Sequence, residues 1–269
     1  MENFAAIQLI GNDASDFGQR MFSRNLKDIP LNSAKLSLFL TAEGKVSALF
    51  WLLKKEDGLL LLTPFSRATA LYELIERYHF TETFKATLIG EKSSSWKAGQ
   101  SFADGEGKIE QNIFVGTWRG TDFRIDLNDS KSAEPKTESS DWNIHRIQNL
   151  IPEFSKDYSE SALVFDLGFE SLCDQNKGCY IGQEVVERVR THGGTGPRRL
   201  ASFEFAKLPQ AEEILMDSES KQLGQLTKSQ SQISANKFIS LGYLKRGVDV
   251  KSTFTAADSK ISGKNLRVI

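Results

Sequence analysis

Two glycine turns, Glu43-Gly44-Lys45 and Asp57-Gly58, divide residues 35–62 into three runs of strand length, 35–40, 46–53 and 59–62. Runs this short, joined by turns this tight, predict a sheet. The first run alternates apolar and polar residues, as a half-buried strand does. A strand over 5–10 comes before them, then a helix that Asn12 or Asp13 could cap, with Phe17, Met21 and Phe22 on one face. Ser66 is the candidate cap of a second helix, whose apolar stripe is Leu71, Leu74, Ile75 and Tyr78. A strand over 84–89 closes the unit. Strand, strand, helix, strand is a split α+β arrangement, not a strict alternation.

Two later stretches read as loops. Residues 91–108 are rich in Ser, Gly and Lys; residues 128–140 are polar, contain Pro135 and carry no large apolar side chain. Between them, 113–118 and 122–127 predict a hairpin around Gly120. A helix over 142–150 stops before Pro152. From Arg199 onward, short strands with turn residues suggest a small β-domain.

Composition narrows the function. The formal net charge is -1, with 39% hydrophobic and 26% charged residues, as in an ordinary globular protein. That balance excludes bulk, backbone-driven nucleic-acid binding and leaves room only for a local basic patch. The start of the chain has no positive region followed by an apolar one, and no apolar stretch reaches bilayer length. Cys173 and Cys179 are too few for a disulfide framework. A reducing cytoplasm and no membrane partner are expected.

The informative segment is Lys177-Gly178-Cys179-Tyr180-Ile181-Gly182-Gln183-Glu184-Val185-Val186-Glu187-Arg188. Ile181, Val185 and Val189 recur at helical spacing, and Glu184 and Arg188 can pair on another face. Cys179 is thus expected at a helix entrance, where the partial positive charge and the nearby Lys177 favour a thiolate. Gly178 and Gly182 would let a ligand approach the backbone. The plain alternative is a small buried hydrophobe. Cys173 lies six residues earlier, outside the usual zinc and thioredoxin spacings, and reads as structural; no metal site is expected. His192 fits a Cys/His pair or, more simply, a surface histidine at a helix C-terminus. His79 and His145 are isolated and read as structural.

Lys177-Gly178-Cys179-Tyr180, Gly182-Gln183-Glu184 and Arg188 together resemble the signature of the YgfZ family of folate-binding proteins, K-G-C-Y-x-G-Q-E-x-x-x-R. Gly193, Arg198-Arg199-Leu200, Gly224-Gln225-Leu226-Thr227 and Leu241-Gly242-Tyr243-Leu244 resemble, more weakly, the barrel shared with the glycine-cleavage T-protein. The resemblance implies an α+β fold: ferredoxin-like lobes of the T-protein type with a C-terminal β-barrel. On that basis 1–127 form the N-terminal lobes, 128–140 an exposed linker, 141–195 a helix and cysteine segment packing back on the lobes, and 196–269 the barrel. It also implies tetrahydrofolate binding, iron–sulfur client proteins as partners, a link to tRNA modification, and Cys179 as functional centre. Asp166-Leu167-Gly168-Phe169 is similar to the T-protein's E-x-G-L stretch, so Asp166 would accept hydrogen bonds from the pterin; a solvated or capping aspartate is the alternative. Two departures count. The run from Phe17 to Asn25 differs from the family's F-L-Q-x-Q-x-T-N-D, and Gly44 is followed by Lys45-Val46 where the T-protein has acidic residues. The second favours an accessory factor over an aminomethyltransferase. A cysteine-dependent redox or sulfur-transfer enzyme is the third reading.

Overall fold

The computed structural model describes residues 1–128, 140–249 and 253–269. They form two compact units: Met1–Glu138 with Ser171–Val185, and Ser139–Glu170 with Val186–Ile269. The stretch 141–195, read above as one segment, is thereby divided. Of the expected linker over 128–140, all but Asn128 and Ser140 lies outside the described residues.

The first unit is built on nine strands: β1 Phe4–Ile10, β2 Ser33–Leu40, β3 Val46–Lys55, β4 Gly58–Pro64, β5 Lys85–Lys92, β6 Ser94–Ala98, β7 Glu106–Glu110, β8 Ile113–Trp118 and β9 Thr121–Asp126. They make one continuous sheet, ordered β5-β1-β4-β3-β2-β7-β8-β9-β6. The two turns that open the sequence argument do join β2 to β3 and β3 to β4 as antiparallel neighbours. Helices α1 (Ala14–Met21) and α2 (Ala68–Tyr78) cover the sheet. Under them lies a phenylalanine cluster in which the ring of Phe22 stands 4.9 Å from Phe50 and 5.8 Å from Phe39. Four buried phenylalanines with Leu52, Leu61, Leu71 and Ile75 give this unit its main apolar stabilisation.

Three expectations are corrected here. Residues 91–108 hold the end of β5, all of β6 and the start of β7. Their polar side chains are satisfied within the fold: Ser94 is buried and its hydroxyl donates to the distant Glu2 carbonyl at 3.0 Å. Ser66 does not cap α2. It lies within a 3-10 turn, Phe65–Arg67, and its own N–H donates to the Glu2 carboxylate at 3.3 Å. Asp13 stands at the N-cap of α1, but its carboxylate instead accepts the Thr83 N–H at 2.6 Å.

The second unit contains α3 (Ser140–Gln148) and a closed six-stranded barrel. Its strands are β10 Arg198–Phe205, β11 Ile214–Met216, β12 Gln222–Ser234, β13 Lys237–Lys245, β14 Phe254–Ala256 and β15 Ser262–Val268. Pairing of β10 with β15 closes the ring. Alternation sends Ala201, Phe203 and Phe205 inward against Leu226, Leu244 and Phe254. The other face of β10 and β13 carries Leu200 and Tyr243, also buried. Tyr243 Oη donates to the Asp157 carbonyl at 2.9 Å, which ties the barrel wall to the segment after α3.

That segment is held by a buried arginine that sequence reasoning missed. Arg146 Nη1 lies 2.7 Å from Asp157 Oδ2, its Nη2 donates to Ser229 Oγ at 2.6 Å, and its Nε donates to Asn143 Oδ1 at 2.8 Å. Asp157 Oδ1 accepts the Thr227 hydroxyl at 2.6 Å. Burial alone would raise the Glu153 carboxyl; Arg146, Lys156 and the Trp142 indole N–H outweigh it and hold it below the usual carboxylate range. The polar anchors of 140–170 lie on β12 and β13.

Candidate functional site

The cysteine segment is an irregular loop, not the start of a helix. Helix α4 covers Gln183–Thr191, so Cys179 lies four residues ahead of it. Gln183 closes the turn between them: its Oε1 accepts the Tyr180 N–H at 3.3 Å, and its own N–H donates to the Tyr180 carbonyl at 3.2 Å. Ile181 precedes the helix and packs on the core of the first unit. Val185 and Val189 are half-buried, and the fully buried side chain of α4 is Val186. The expected buried stripe is therefore shifted by one position.

Gly182 is required where it sits. Its φ is +83°, and a Cβ there would stand 2.5 Å from the Thr41 carbonyl oxygen. Gly44 meets the motif from the other side, since its Cβ would stand 3.0 Å from Val185 Cγ1. The turn that shapes the sheet is thus also the seat of the motif. Gly178 has open space around it.

The other side of the loop is stapled to residues 22–25. Arg24 is buried; its Nη1 donates to the Ser171 carbonyl and to Asp174 Oδ1, both at 2.8 Å, and its Nε donates to the Leu36 carbonyl at 2.8 Å. Asp174 Oδ2 accepts the Asn25 N–H at 2.8 Å, and Ser23 Oγ donates to the Leu172 carbonyl at 2.6 Å. Gln19 and Asn25 order the turn itself: Gln19 Oε1 accepts the Leu26 N–H at 2.8 Å, and Gln19 Nε2 donates to Asn25 Oδ1 at 3.0 Å. The run that departs from the family pattern therefore does structural work here. Its polar side chains hold the cysteine loop.

Lys177 belongs to this anchor. Its ammonium donates to the Phe22 carbonyl and, at 2.9 Å, to the Arg24 carbonyl, and lies 4.8 Å from the centre of the Tyr180 ring. Burial pushes its pKa down to about 8, against the opposing pull of Asp174 and Cys173. Its hydrogen bonds go to backbone carbonyls of the sheet unit. Cys179 is exposed and Cys173 buried. Glu184 and Arg188 are exposed on α4. The His192 ring bonds the Arg188 carbonyl at 2.7 Å, as a helix-end histidine does. Among the described residues no group of three or more His, Cys, Asp or Glu side chains could hold a metal ion.

A pH prediction follows from Lys177. The unfolded lysine keeps its proton to about pH 10.4, whereas the folded one loses it near 8. Between those values the unfolded chain binds more protons, so this group's contribution to stability rises with pH. The unfolding free energy of the wild type minus that of Lys177→Met should increase from pH 8 to 10. A flat difference would mean that the ammonium is not desolvated.

In the second unit, Asp166 is buried at the end of a 3-10 turn, Val164–Asp166. Its Oδ2 accepts Arg198 Nε at 2.9 Å and the Leu163 N–H at 3.4 Å. The Arg198 guanidinium in turn lies 4.2 Å from the centre of the Tyr243 ring. Asp166 thus caps its own turn, as the plain reading had it, yet only one oxygen is used. Oδ1 is buried and accepts no hydrogen bond among the described residues. A Cβ on Gly196 would stand 3.1 Å from it, so the absent side chain leaves that oxygen uncrowded. A buried carboxylate oxygen without a donor is costly, and a ligand N–H is one way to satisfy it.

No family profile matches the chain. It is 24% identical over 217 residues to the "tRNA-modifying protein YgfZ" of Vibrio atlanticus, covering 72% of this chain and 65% of that protein. The match therefore spans just under two thirds of that relative's length. It is 24% identical over 214 residues to an "Iron-sulfur cluster assembly factor IBA57 homolog, mitochondrial" of Neurospora crassa, covering 70% of this chain and 49% of that protein. The chain is thus similar to YgfZ-type proteins. The crystal structure of the glycine cleavage system aminomethyltransferase T from Bartonella henselae superposes with a TM-score of 0.78 at 13% identity, over 98% of this chain and 83% of that one. The chain thus has the T-protein fold, as the resemblance implied. No helix among its described residues is long and apolar enough to cross a membrane.

Proposed function

We propose that the protein binds a reduced folate, tetrahydrofolate or a derivative, and acts as an accessory factor in iron–sulfur cluster assembly or repair, with a bearing on tRNA modification and with Cys179 as its functional centre. The observation that carries the folate reading is Asp166 Oδ1, a buried acceptor with no donor among the described residues. A pterin offers amino and ring N–H donors in a plane, which suits a carboxylate held rigidly by Arg198 and Leu163. Bound tetrahydrofolate would supply a carrier for one-carbon units. The relatives named for tRNA modification and iron–sulfur assembly support the cellular role. Lys177, Tyr180, Gly182 and Gln183 would hold the loop, Gly178 would keep the space before the thiol open, and Glu184 and Arg188 would face partners from α4. Iron–sulfur client proteins are those partners, and the cytoplasm is the compartment.

Calorimetric titration with tetrahydrofolate tests this directly. The wild type should bind, and Asp166→Ala should bind at least about tenfold more weakly, the size expected when a hydrogen bond to a charged group is removed. No binding at millimolar tetrahydrofolate rejects the folate reading, whereas equal affinities reject only Asp166. Robust release of ammonia from an aminomethylated carrier would favour the aminomethyltransferase alternative. Substrate turnover without folate would favour the redox or sulfur-transfer alternative.

A further inference from the structure

One end of the barrel gathers positive charge that the folate reading does not use. Arg198 and Arg199 open β10, and Lys245 and Arg246 end β13 and follow it; the register sets Arg198 directly opposite Lys245. Like charges facing each other across a sheet destabilise it unless each is engaged elsewhere. Arg198 is engaged, through Asp166. Arg199, Lys245 and Arg246 make no ion pair among the described residues.

Two of these side chains and the backbone of the third are nevertheless held in place. Arg199 Nη2 donates to the Val248 carbonyl at 3.1 Å, Lys245 Nζ to Gln222 Oε1 at 2.9 Å, and the Arg246 N–H to the Pro197 carbonyl at 2.9 Å. Lys245 and Arg246 are exposed. The Arg246 guanidinium lies beside Gly193, where an added Cβ would stand 3.9 Å from its Nη2. Gly193 and Gly194, at φ +102° and +63°, form a loop with no side chain to screen that guanidinium, and a Cβ on Gly194 would meet nothing within 4 Å.

We propose that this end of β10 and β13, with Arg199, Lys245 and Arg246 and with the Gly193-Gly194 loop beside Arg246, is a contact site for the phosphodiester backbone of RNA. The residue types fit. Guanidinium groups match phosphate oxygens in fork geometry, and a bare glycine loop admits a bulky backbone. A protein partner fits less well. Interfaces between proteins have an apolar core, and none of the exposed large apolar side chains of the described residues lies within 188–199 or 245–249. The site is local, so it agrees with a chain whose net charge of -1 excludes bulk binding. It neither needs nor alters the folate site.

The test uses full-length protein, bulk transfer RNA and a Lys245→Glu/Arg246→Glu variant. Binding is followed by fluorescence anisotropy from about 50 to 200 mM salt. The wild type should bind with an affinity that falls as salt rises. The double variant should bind at least about tenfold more weakly, with a salt dependence flatter by about two phosphate contacts. Its tetrahydrofolate affinity should be unchanged. If charge reversal prevents folding, the neutral pair Lys245→Gln/Arg246→Gln replaces it with the same expectation. Equal RNA affinities for wild type and variant would overturn the proposal. So would tighter binding of a polyglutamate peptide than of RNA, which would assign the site to carboxylates.

Discussion

Arg146→Ala should destabilise the barrel unit by about 3–5 kcal/mol, the cost of breaking a buried pair so that one charge is left alone. Arg146 and Asp157 expose 1% and 0% of their side chains, so water cannot replace the lost guanidinium. Asp157 would keep the Thr227 hydroxyl and the Glu153 N–H as donors but would lose its counter-charge. Ser229 Oγ would lose its donor as well. Hydrogen exchange of the β12 and β13 amides in wild type and variant gives the measurement, since both strands belong to the unit that Arg146 holds together. Glu153→Gln should cost much less, because Glu153 is nearer the surface and Arg146 would keep Asp157. A loss under about 1 kcal/mol for Arg146→Ala would mean that the network contributes specificity but little stability.

That network also shows where sequence reading ends. An arginine midway along a short helix looks like a surface charge, and its partners Asp157 and Ser229 lie 11 and 83 residues away. Nothing in local spacing joins them. The N-terminal sheet was legible because glycine turns punctuate apolar runs of strand length. Residues 91–108 were misread because β6 and β7 are short and polar, and a half-exposed strand of Ser, Lys and Gly has the composition of a loop. At the motif, the pattern located the cysteine but not the direction of its neighbours. Only Gly178 separates Lys177 from Cys179, yet a flexible four-carbon stem can turn either way. Here the desolvated carbonyls of Phe22 and Arg24 receive the ammonium. Asp166 was found through a resemblance; its paired and unpaired oxygens were not in the pattern at all.

Cys179→Ser should leave the fold intact and abolish function in cells. The stability half follows from geometry. Cys179 is exposed, and the loop on either side of it is fixed by other groups: Lys177 on the carbonyls of residues 22 and 24, Arg24 on Ser171 and Asp174, Gly182 against Thr41, and Gln183 on Tyr180. Replacing one exposed sulfur by oxygen touches none of these, so the change in stability should stay within about 0.5 kcal/mol. The functional half rests on chemistry. An exposed thiol on an anchored loop reaches a partner with little ordering cost, and serine lacks both its nucleophilicity and its affinity for soft metals. Lys177→Met makes the necessary contrast, because it should weaken function by loosening the loop and should lower protein levels or protection of the loop at the same time. Arg188→Ala, on the exposed face of α4, should cause a milder loss. The readout is the activity of iron–sulfur enzymes that modify RNA, in cells lacking the endogenous protein and expressing each variant at matched levels. Full rescue by Cys179→Ser at equal folded protein would make the cysteine incidental. The anchors around it would then have to serve the loop surface itself, with Tyr180 and the glycines as the features a partner reads.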